Sequence, residues 1–405
     1  MDGPEAGGLE VPRDLQGRAI SLQFGSGSVR EDEPQDPTPQ ALPRAPKTKR
    51  CLAEGVPAEI KVVGSSVKNH SCCLLMNNLI IFLAGILFAS SLRAGENAGF
   101  RLMTFNILQG GGNAKNVGFG NELFDGSRID EIASAIHLAK ADVVGVQEDC
   151  PPKSNAILKE LGEGWHRSGS VYSKYPLRPV GNDRYLNIVD VELPKSRVIR
   201  VINCHWWPNK YGPSLAQDKL RANPKTDLED LGRIVETRGA RPGGVRGYKA
   251  TFGPLLDAIK DEKSLFLVGD FNEPSHLDWT KNFAQKGFDR WVNNPTGTPL
   301  RLVVRWPGSV GLEKLGMVDS YRSVHSDEVK KPGNTWTPQY PENTPGRRPF
   351  GDQVLDRIDR VYHYGKDVRA VTAEVVGEKG FADVVLGARW PSDHRAVVVE
   401  YKWGN

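Results

Sequence analysis

The feature that most constrains the fold is a set of short apolar runs that each end in a polar side chain. The clearest is residues 265–272, where four apolar residues predict a buried strand and Gly269 breaks it. Asp270 and Asn272 follow two apart, so both side chains lie on one side if extended geometry continues. The same residues also suit an ordinary turn. As a strand end, they place a carboxylate and an amide at the edge of a sheet, where phosphate and metal ligands commonly bind.

The arrangement recurs from about residue 100, with a helix predicted between the first two strands. Apolar side chains repeat at helical spacing over residues 129–141, and Asp130 and Glu131 lie in the first turn, where the helix dipole favours acids. Each polar strand end alone has an ordinary explanation, as a structural histidine, a solvated terminus, an exposed edge residue or a turn cap. Their joint occurrence favours a shared site. The residues are Asn106 after 100–105, Glu148 after 142–147, His205 after 198–204, Asp359 inside the strand predicted at 354–362, and Asp393 and His394 before the strand at 396–401.

In this order, the segments that contain these residues resemble the endonuclease/exonuclease/phosphatase superfamily, which has the deoxyribonuclease I-like fold. The resemblance covers about residues 100–405 and rests on Thr-Phe-Asn-Ile at 104–107, Gln-Glu at 147–148, Tyr-Ser-Lys-Tyr-Pro-Leu at 172–177, Asn-Cys-His at 203–205, Gly-Asp-Phe-Asn at 269–272, Val-Asp-Ser-Tyr-Arg at 318–322, Arg-Ile-Asp at 357–359 and Ser-Asp-His at 392–394. It implies an α/β (α+β) fold, a four-layer sandwich of two mixed β-sheets packed face to face with helices on the outside. We therefore expect one catalytic domain at residues 95–405.

The resemblance further implies a metal-dependent phosphoric ester hydrolase. Hydrolysis of a phosphoester needs a Lewis acid, an activated water and stabilisation of the charge that develops on oxygen. Glu148 resembles the metal-ligating carboxylate of the family, and Asn106 and Asp393 would complete or support the site. Oxygen ligands suit a hard ion such as Mg²⁺, with Mn²⁺ and Ca²⁺ as alternatives.

The remaining polar residues are expected to act on the substrate. Asp270 and Asn272 would orient the attacking water and hold the phosphate, with Asp270 the candidate base. His394 would pair with Asp359, which fixes its tautomer and favours the protonated ring, so that it can stabilise charge on the phosphoryl group. His205 would donate to a phosphate oxygen or to the leaving group.

The substrate is less constrained than the reaction. A net charge of +4 is too small to indicate a dedicated nucleic-acid surface. The segment at about 206–252, read as an insertion, is rich in basic and aromatic residues, which suit nucleic acid or a phospholipid surface, although a solvated insertion is the plain alternative. Trp336 is a further candidate substrate contact. We expect a monomer without an obligate protein partner that acts as a nuclease, a sphingomyelinase-like enzyme or a hydrolase of small phosphate esters; the alternative is a non-catalytic relative that binds a phosphate ligand.

The N-terminal region differs from the rest of the chain. Residues 1–75 are predicted to be disordered because they lack a sustained apolar pattern. An apolar run at 79–89 has the length of a signal-peptide core, which indicates a signal peptide at 76–94 and translation from Met76; the alternative is a membrane anchor at 74–92. Either interpretation predicts a secreted, periplasmic or otherwise extracytoplasmic domain. There, Cys150 and Cys204 could pair or remain separate buried thiols.

Overall fold

The strands of the computed structural model form two sheets, as the family resemblance implies. The structure describes residues 99–115, 124–151, 153–182, 186–208, 211–226, 248–261, 263–292, 294–336 and 354–404. The predictions for residues 1–94 therefore lie outside the described residues, as do residues 209–210 and 227–247 of the expected insertion. None of the described helices is long and apolar enough to cross a membrane.

The strands and helices have the following bounds. The strands are β1 Phe100–Asn106, β2 Val143–Gln147, β3 His166–Ser168, β4 Val171–Ser173, β5 Leu177–Asn182, β6 Leu186–Leu193, β7 Arg197–His205, β8 Ser264–Asp270, β9 Val318–Asp319, β10 Asp359–Tyr364, β11 Val368–Gly377, β12 Val384–Val385 and β13 Ala396–Trp403. The helices are α1 Ile129–Leu138, α2 Lys153–Leu161, α3 Gly212–Ala222, α4 Tyr248–Lys260, α5 Lys281–Lys286, α6 Pro307–Lys314 and α7 Ser320–Val324, with a 3-10 turn at Gln109–Gly111.

Both sheets are mixed. The seven-stranded sheet has the order β12-β11-β13-β1-β2-β4-β3, and the six-stranded sheet has the order β5-β6-β7-β8-β10-β9. Within them β1 runs parallel to β2 and β7 runs parallel to β8, whereas β13 and β10 pair antiparallel with β1 and β8. The carboxyl ends of β1 and β2, and of β7 and β8, therefore lie side by side.

The period-two pattern of the strands separates an inner core from two outer ones. On β8, Phe266 and Val268 face the core that also holds Leu102 of β1, whereas Leu265 and Leu267 face the core that holds Leu255 of α4. On β1, alternate residues likewise face a third core that includes Ile132 and Ile136 of α1. The order of layers is helix, sheet, sheet, helix, so the predicted fold class is confirmed.

The two sheets approach each other closely at Gly145, in the middle of β2. A Cβ atom on Gly145 would lie 2.3 Å from Val268 Cγ2 and 2.9 Å from Asn203 Oδ1, both on the facing sheet. A side chain at this position would therefore push the sheets apart. The small residue at 145 allows the polar ends of β2, β7 and β8 to meet.

One predicted strand is shorter than expected. The pattern at residues 354–362 predicts a strand that contains Asp359, but β10 begins only at Asp359. The backbone N–H groups of Ile358 and Asp359 both donate to Thr335 Oγ1, at 3.1 and 3.0 Å, instead of to a neighbouring strand. Asp356 and Arg357 are both buried, and their side chains form hydrogen bonds with Trp279 and Asp319. These contacts explain why the sequence alternates here although the segment is not part of a continuous strand.

Candidate active site

The polar strand ends converge because of the strand register. On one sheet Asn106 lies opposite Gln147, directly before Glu148. On the other sheet Asp270 lies between His205 of β7 and Asp359, the first residue of β10. Asn106 Nδ2 donates to Asp270 Oδ2 across the two sheets at 3.0 Å, so the two groups of strand ends form a single site.

Asp270 lies between two histidines. His205 Nε2 is 3.4 Å and His394 Nε2 is 3.8 Å from Asp270 Oδ2. Burial would raise the pKa of Asp270, but the charges of His394 and His205 and the N–H of Asn272 together hold this pKa well below its usual range. Asp270 is therefore a carboxylate at neutral pH despite being buried.

His394 is paired with a second buried carboxylate. Its Nδ1 lies 2.9 Å from Asp359 Oδ2. Burial alone would lower the pKa of His394, but Asp359 and Asp270 outweigh it and raise this pKa well above its usual value. The ring is therefore a cation at neutral pH and directs a proton on Nε2 towards the centre of the site. The family resemblance implied that these two residues pair, and the structure places them in hydrogen-bond contact.

The opposite side of Asp270 is rich in oxygen ligands. Asn106 Nδ2 lies 3.4 Å from Glu148 Oε1, and the N–H of Gln109 donates to Glu148 Oε2 at 2.8 Å. Burial raises the pKa of Asp393 to about 6; the charge of His394 opposes this increase, and the charge of Glu148 adds to it. The charge of Glu148 therefore disfavours the ionised form of Asp393, and a bound cation would favour it. Carboxylate oxygens are the ligands that a hard divalent ion prefers, so Glu148 and Asp393 fit such an ion. Asn106 turns its Nδ2 to this side, because its Oδ1 accepts the N–H of Leu108 at 3.1 Å.

A second group of residues also has the spacing of a metal site. Ligand atoms of Asp270, Asp359 and His394 all lie within 4.8 Å of one another. The raised pKa of His394 argues against its use as a ligand, because a protonated ring has no lone pair to offer a metal. The Glu148 side is therefore the better candidate for the metal, although both groups border Asp270.

These residues line a cavity of about 550 Å³. Glu148, Asp393, His205, Asp270, Asn272 and His394 all contribute to its wall, together with Trp336 and Tyr211. Asn272 reaches it by a tight turn rather than by an extended chain: its φ is 45°, and its N–H donates to Asp270 Oδ1 at 2.9 Å. Trp336 lies beside His394, with ring centroids 6.4 Å apart.

Three supporting residues were not predicted from the sequence. Arg128, fully buried, donates to the backbone oxygens of Ile107, Gly112 and Pro391, which fixes the loops on both sides of the site. Ser392 Oγ donates to Asn106 O at 2.6 Å. Thr335 Oγ1 accepts the N–H groups of Ile358 and Asp359 at the start of β10, and the Thr335 carbonyl accepts the N–H of Arg395. No local pattern distinguishes such residues from ordinary loop residues, because their role depends on distant backbone groups.

The two cysteines of the domain do not form a disulfide in this structure. Cys150 is exposed and Cys204 is buried, although both line the same cavity. Burial raises the pKa of the Cys204 thiol, and the charge of Asp270 adds to this effect. Of the two interpretations of the sequence, the structure agrees with separate thiols, but only Cys204 is buried as expected.

Comparison with known proteins identifies relatives. The sequence model of the Endonuclease/Exonuclease/phosphatase family matches residues 103–394. An uncharacterized protein of Caenorhabditis elegans is 26% identical over 351 residues, which cover 81% of this chain and 99% of that protein. Similar solved structures include an endonuclease/exonuclease/phosphatase from Beutenbergia cavernae, with 17% identity, TM-score 0.40 and coverage of 76% of this chain and 72% of that one. A family protein from Bacteroides thetaiotaomicron has 12% identity, TM-score 0.42 and coverage of 76% and 100%.

Proposed function

Because the chain belongs to the endonuclease/exonuclease/phosphatase family, we propose that it is a divalent-metal-dependent phosphoesterase that hydrolyses a phosphodiester or a phosphomonoester. Members of this family are nucleases and phosphatases, which supports a phosphoester substrate. The observation that supports the proposal most strongly is the position of Asp270 between two histidines, one of which is held as a cation by Asp359. A buried cation beside a buried carboxylate can stabilise phosphoryl charge and orient a water at the same time.

The metal would be held by Glu148 and Asp393, with Asn106 beside them. When bound, a divalent ion supplies Lewis-acid stabilisation of the non-bridging phosphate oxygens. Mg²⁺ is the ion we propose, because Glu148 and Asp393 both offer carboxylate oxygens. Gln109 and Asn106 hold Glu148 in place through the hydrogen bonds described above.

Four residues of the chain would then each have a separate role in the reaction. Asp270, ionised by its surroundings, accepts a hydrogen bond from the attacking water and is the candidate acceptor of its proton. Asn272, on the cavity wall, helps to hold the phosphate. His394 Nε2 donates to a phosphoryl oxygen as negative charge develops there. His205, which is less deeply buried, donates to a second oxygen or to the leaving group as the bond from phosphorus to that oxygen breaks.

A non-catalytic relative that binds a phosphate ligand is the alternative. Such a protein would have no requirement for the Asp359–His394 pair, which costs free energy to bury. The presence of this pair together with Asp270 and Glu148 favours the enzyme.

The experiment uses the purified chain with bis-p-nitrophenyl phosphate and p-nitrophenyl phosphate, each with Mg²⁺ or with a chelator. We expect metal-dependent release of nitrophenol from at least one ester and loss of at least 100-fold in rate in His394→Ala, a typical size for an acid–base or charge-stabilising group. His137→Ala, at an exposed histidine of α1, is the matched control. Turnover that survives in His394→Ala would contradict the proposal.

Parallel assays would identify the chemical class of the natural substrate. Nicking of supercoiled plasmid would indicate a nuclease, and release of phosphocholine from sphingomyelin vesicles would indicate a phospholipid substrate. Tyr211 and Trp336 form an edge-to-face aromatic pair on the cavity wall, with ring centroids 5.2 Å apart, and could contact either a base or a head group.

We also propose that the catalytic domain is exported, on the basis of the apolar run at residues 79–89. N-terminal sequencing of the protein from its native source would test this. A mature terminus close to residue 95 would support a signal peptide. A peptide from residues 1–75 would contradict translation from Met76.

A further inference from the structure

A second cavity of about 430 Å³ lies apart from the catalytic residues. Its wall includes Leu277, Met317 and Val318, which are apolar, together with His276 and Tyr362. This volume is within the roughly 300–1,000 Å³ range of small-molecule sites. None of the catalytic or metal-ligating candidates lines it.

Two buried donor groups have no hydrogen-bond acceptor among the described residues: one belongs to the cavity wall, and the other contacts that wall residue from outside the wall. Tyr362, which is 2% exposed, lines the cavity, and its hydroxyl has no partner. Arg360, which is 0% exposed, has no partner for any of its three guanidinium nitrogens. Both residues are on β10, two apart, and therefore on the same face of the sheet. A buried donor left without an acceptor costs about 1–3 kcal/mol, and a charged one costs more, so an acceptor is expected in this region.

The aromatic contacts of Arg360 do not supply that acceptor. Its guanidinium lies 4.5 Å from the ring centroid of Phe271 and 5.5 Å from that of Tyr362. Its neighbour across the strands is Gly269, which has no side chain to offer. Ring faces attract the cation but do not replace its hydrogen bonds.

The charges around the cavity favour an anion. Asp319 is neutralised by Arg357, which donates to both of its oxygens at 3.0 and 2.7 Å. Glu313, with 57% of its side chain exposed, is a solvated rim residue that lies 3.2 Å from His276 Nε2. Burial lowers the pKa of His276, and the charges of Arg305 and Arg360 lower it further, although Glu313 opposes them. Arg360, which has no hydrogen-bond partner among the described residues, therefore adds positive charge on the side of the cavity where Tyr362 lies.

We propose that this second cavity binds a small organic monoanion, a carboxylate with an apolar body. The carboxylate would accept a hydrogen bond from the Tyr362 hydroxyl and be attracted by the Arg360 charge. The apolar body would contact Leu277, Met317 and Val318. The cavity adjoins the segment that runs from Asn272 to His276, so a ligand here would contact the same loop that contributes Asn272 to the active site.

Binding is tested with benzoate as the probe and benzamide as its uncharged counterpart. The full chain is titrated in the presence of a chelator, with calorimetry or saturation-transfer NMR as the readout. We expect benzoate to bind at millimolar concentration and benzamide to bind more weakly. His394→Ala should bind benzoate as the unchanged protein does, which excludes the active site as the location.

Three variants locate the ligand. Tyr362→Phe removes only the hydroxyl, and we expect benzoate affinity to fall about tenfold, the effect of one hydrogen bond to a charged group. Val318→Trp should abolish binding by filling the cavity, whereas Val385→Trp should not. These valines are matched, because both lie in two-residue strands and are 42% and 40% exposed.

The outcomes that would overturn the proposal are distinct. If circular dichroism shows that the protein is folded and yet it does not bind benzoate, the Tyr362 hydroxyl is bound to water and the cavity is not a ligand site. Equal affinity for benzoate and benzamide would exclude an anion site. Binding that persists unchanged in both Tyr362→Phe and Val318→Trp would place the ligand elsewhere.

Discussion

Replacement of Asp359 by Asn should lower the pKa of His394 while leaving the shape of the site intact. The pair is joined at 2.9 Å between His394 Nδ1 and Asp359 Oδ2, and both residues are buried. A hydrogen bond to a charged group contributes about 1.5–3 kcal/mol and a neutral one about 0.5–1.5 kcal/mol, so the variant should lose roughly 1–1.5 kcal/mol of preference for the charged ring. At about 1.36 kcal/mol per pKa unit, this corresponds to a decrease of roughly one unit.

The change in stability should depend on pH in a defined direction. Because the pKa of His394 is raised in the folded protein, its contribution to stability is fully present below the unfolded value of about 6.5 and is lost as pH rises through the folded value. The free energy of unfolding should therefore differ most between wild type and Asp359→Asn near pH 6, and the difference should decrease at higher pH.

The assay is an NMR titration of the His394 ring in the chelated protein, with the resonance assigned by its absence in His394→Ala. Urea unfolding at several pH values supplies the stabilities. Asp261→Asn is the control, because Asp261 is a half-exposed carboxylate that pairs with Arg200 just before β8 begins, whereas the site lies where β8 ends. An unchanged His394 titration in Asp359→Asn would refute the assignment of Asp359 as the group that holds the proton.

Further predictions concern the metal side and the packing of the sheets. Glu148→Gln should abolish metal-dependent turnover, measured with the nitrophenyl esters over a range of Mg²⁺ concentrations, and full activity at ordinary Mg²⁺ would contradict its role as a ligand. Because burial raises the pKa of Asp393 to about 6 and a ligand must be ionised, Mg²⁺ affinity should fall as pH decreases through about 6; calorimetric titrations at pH 5 and pH 7 should show a smaller difference in Asp393→Asn. Gly145→Ala should destabilise the fold by about 1–3 kcal/mol in urea unfolding, because its Cβ would meet Val268 at 2.3 Å; an unaltered midpoint would show that the sheets can separate freely.

Local sequence patterns were sufficient for individual strands and helices, whereas the layers of the fold were expected from the family resemblance. The alternation at β1 and β8 depends on the period-two geometry of a strand, and the spacing of α1 depends on the period of a helix, so both can be read from neighbouring residues. The strand predicted at 354–362 was partly wrong for the same reason. Alternation shows only which side chains lie on the same side of the chain. It does not show that Thr335 Oγ1, from a distant segment, accepts the two backbone N–H groups that a neighbouring strand would otherwise bind.

The sequence by itself determined which chemical groups are available: carboxylates, amides and histidines at the ends of apolar strands, which are the groups that a phosphoesterase requires. Only the tertiary structure decided which of them touch. Asn106 and Asp270 are 164 residues apart, yet they hydrogen-bond because the register of β1 with β2 and of β7 with β8 brings both strand ends to one edge. Contacts between distant parts of the sequence also create the surroundings of Arg128 and of the cavity lined by Tyr362. Their surroundings come from remote segments, and the free energy of burying a polar group depends on those surroundings rather than on its neighbours in sequence.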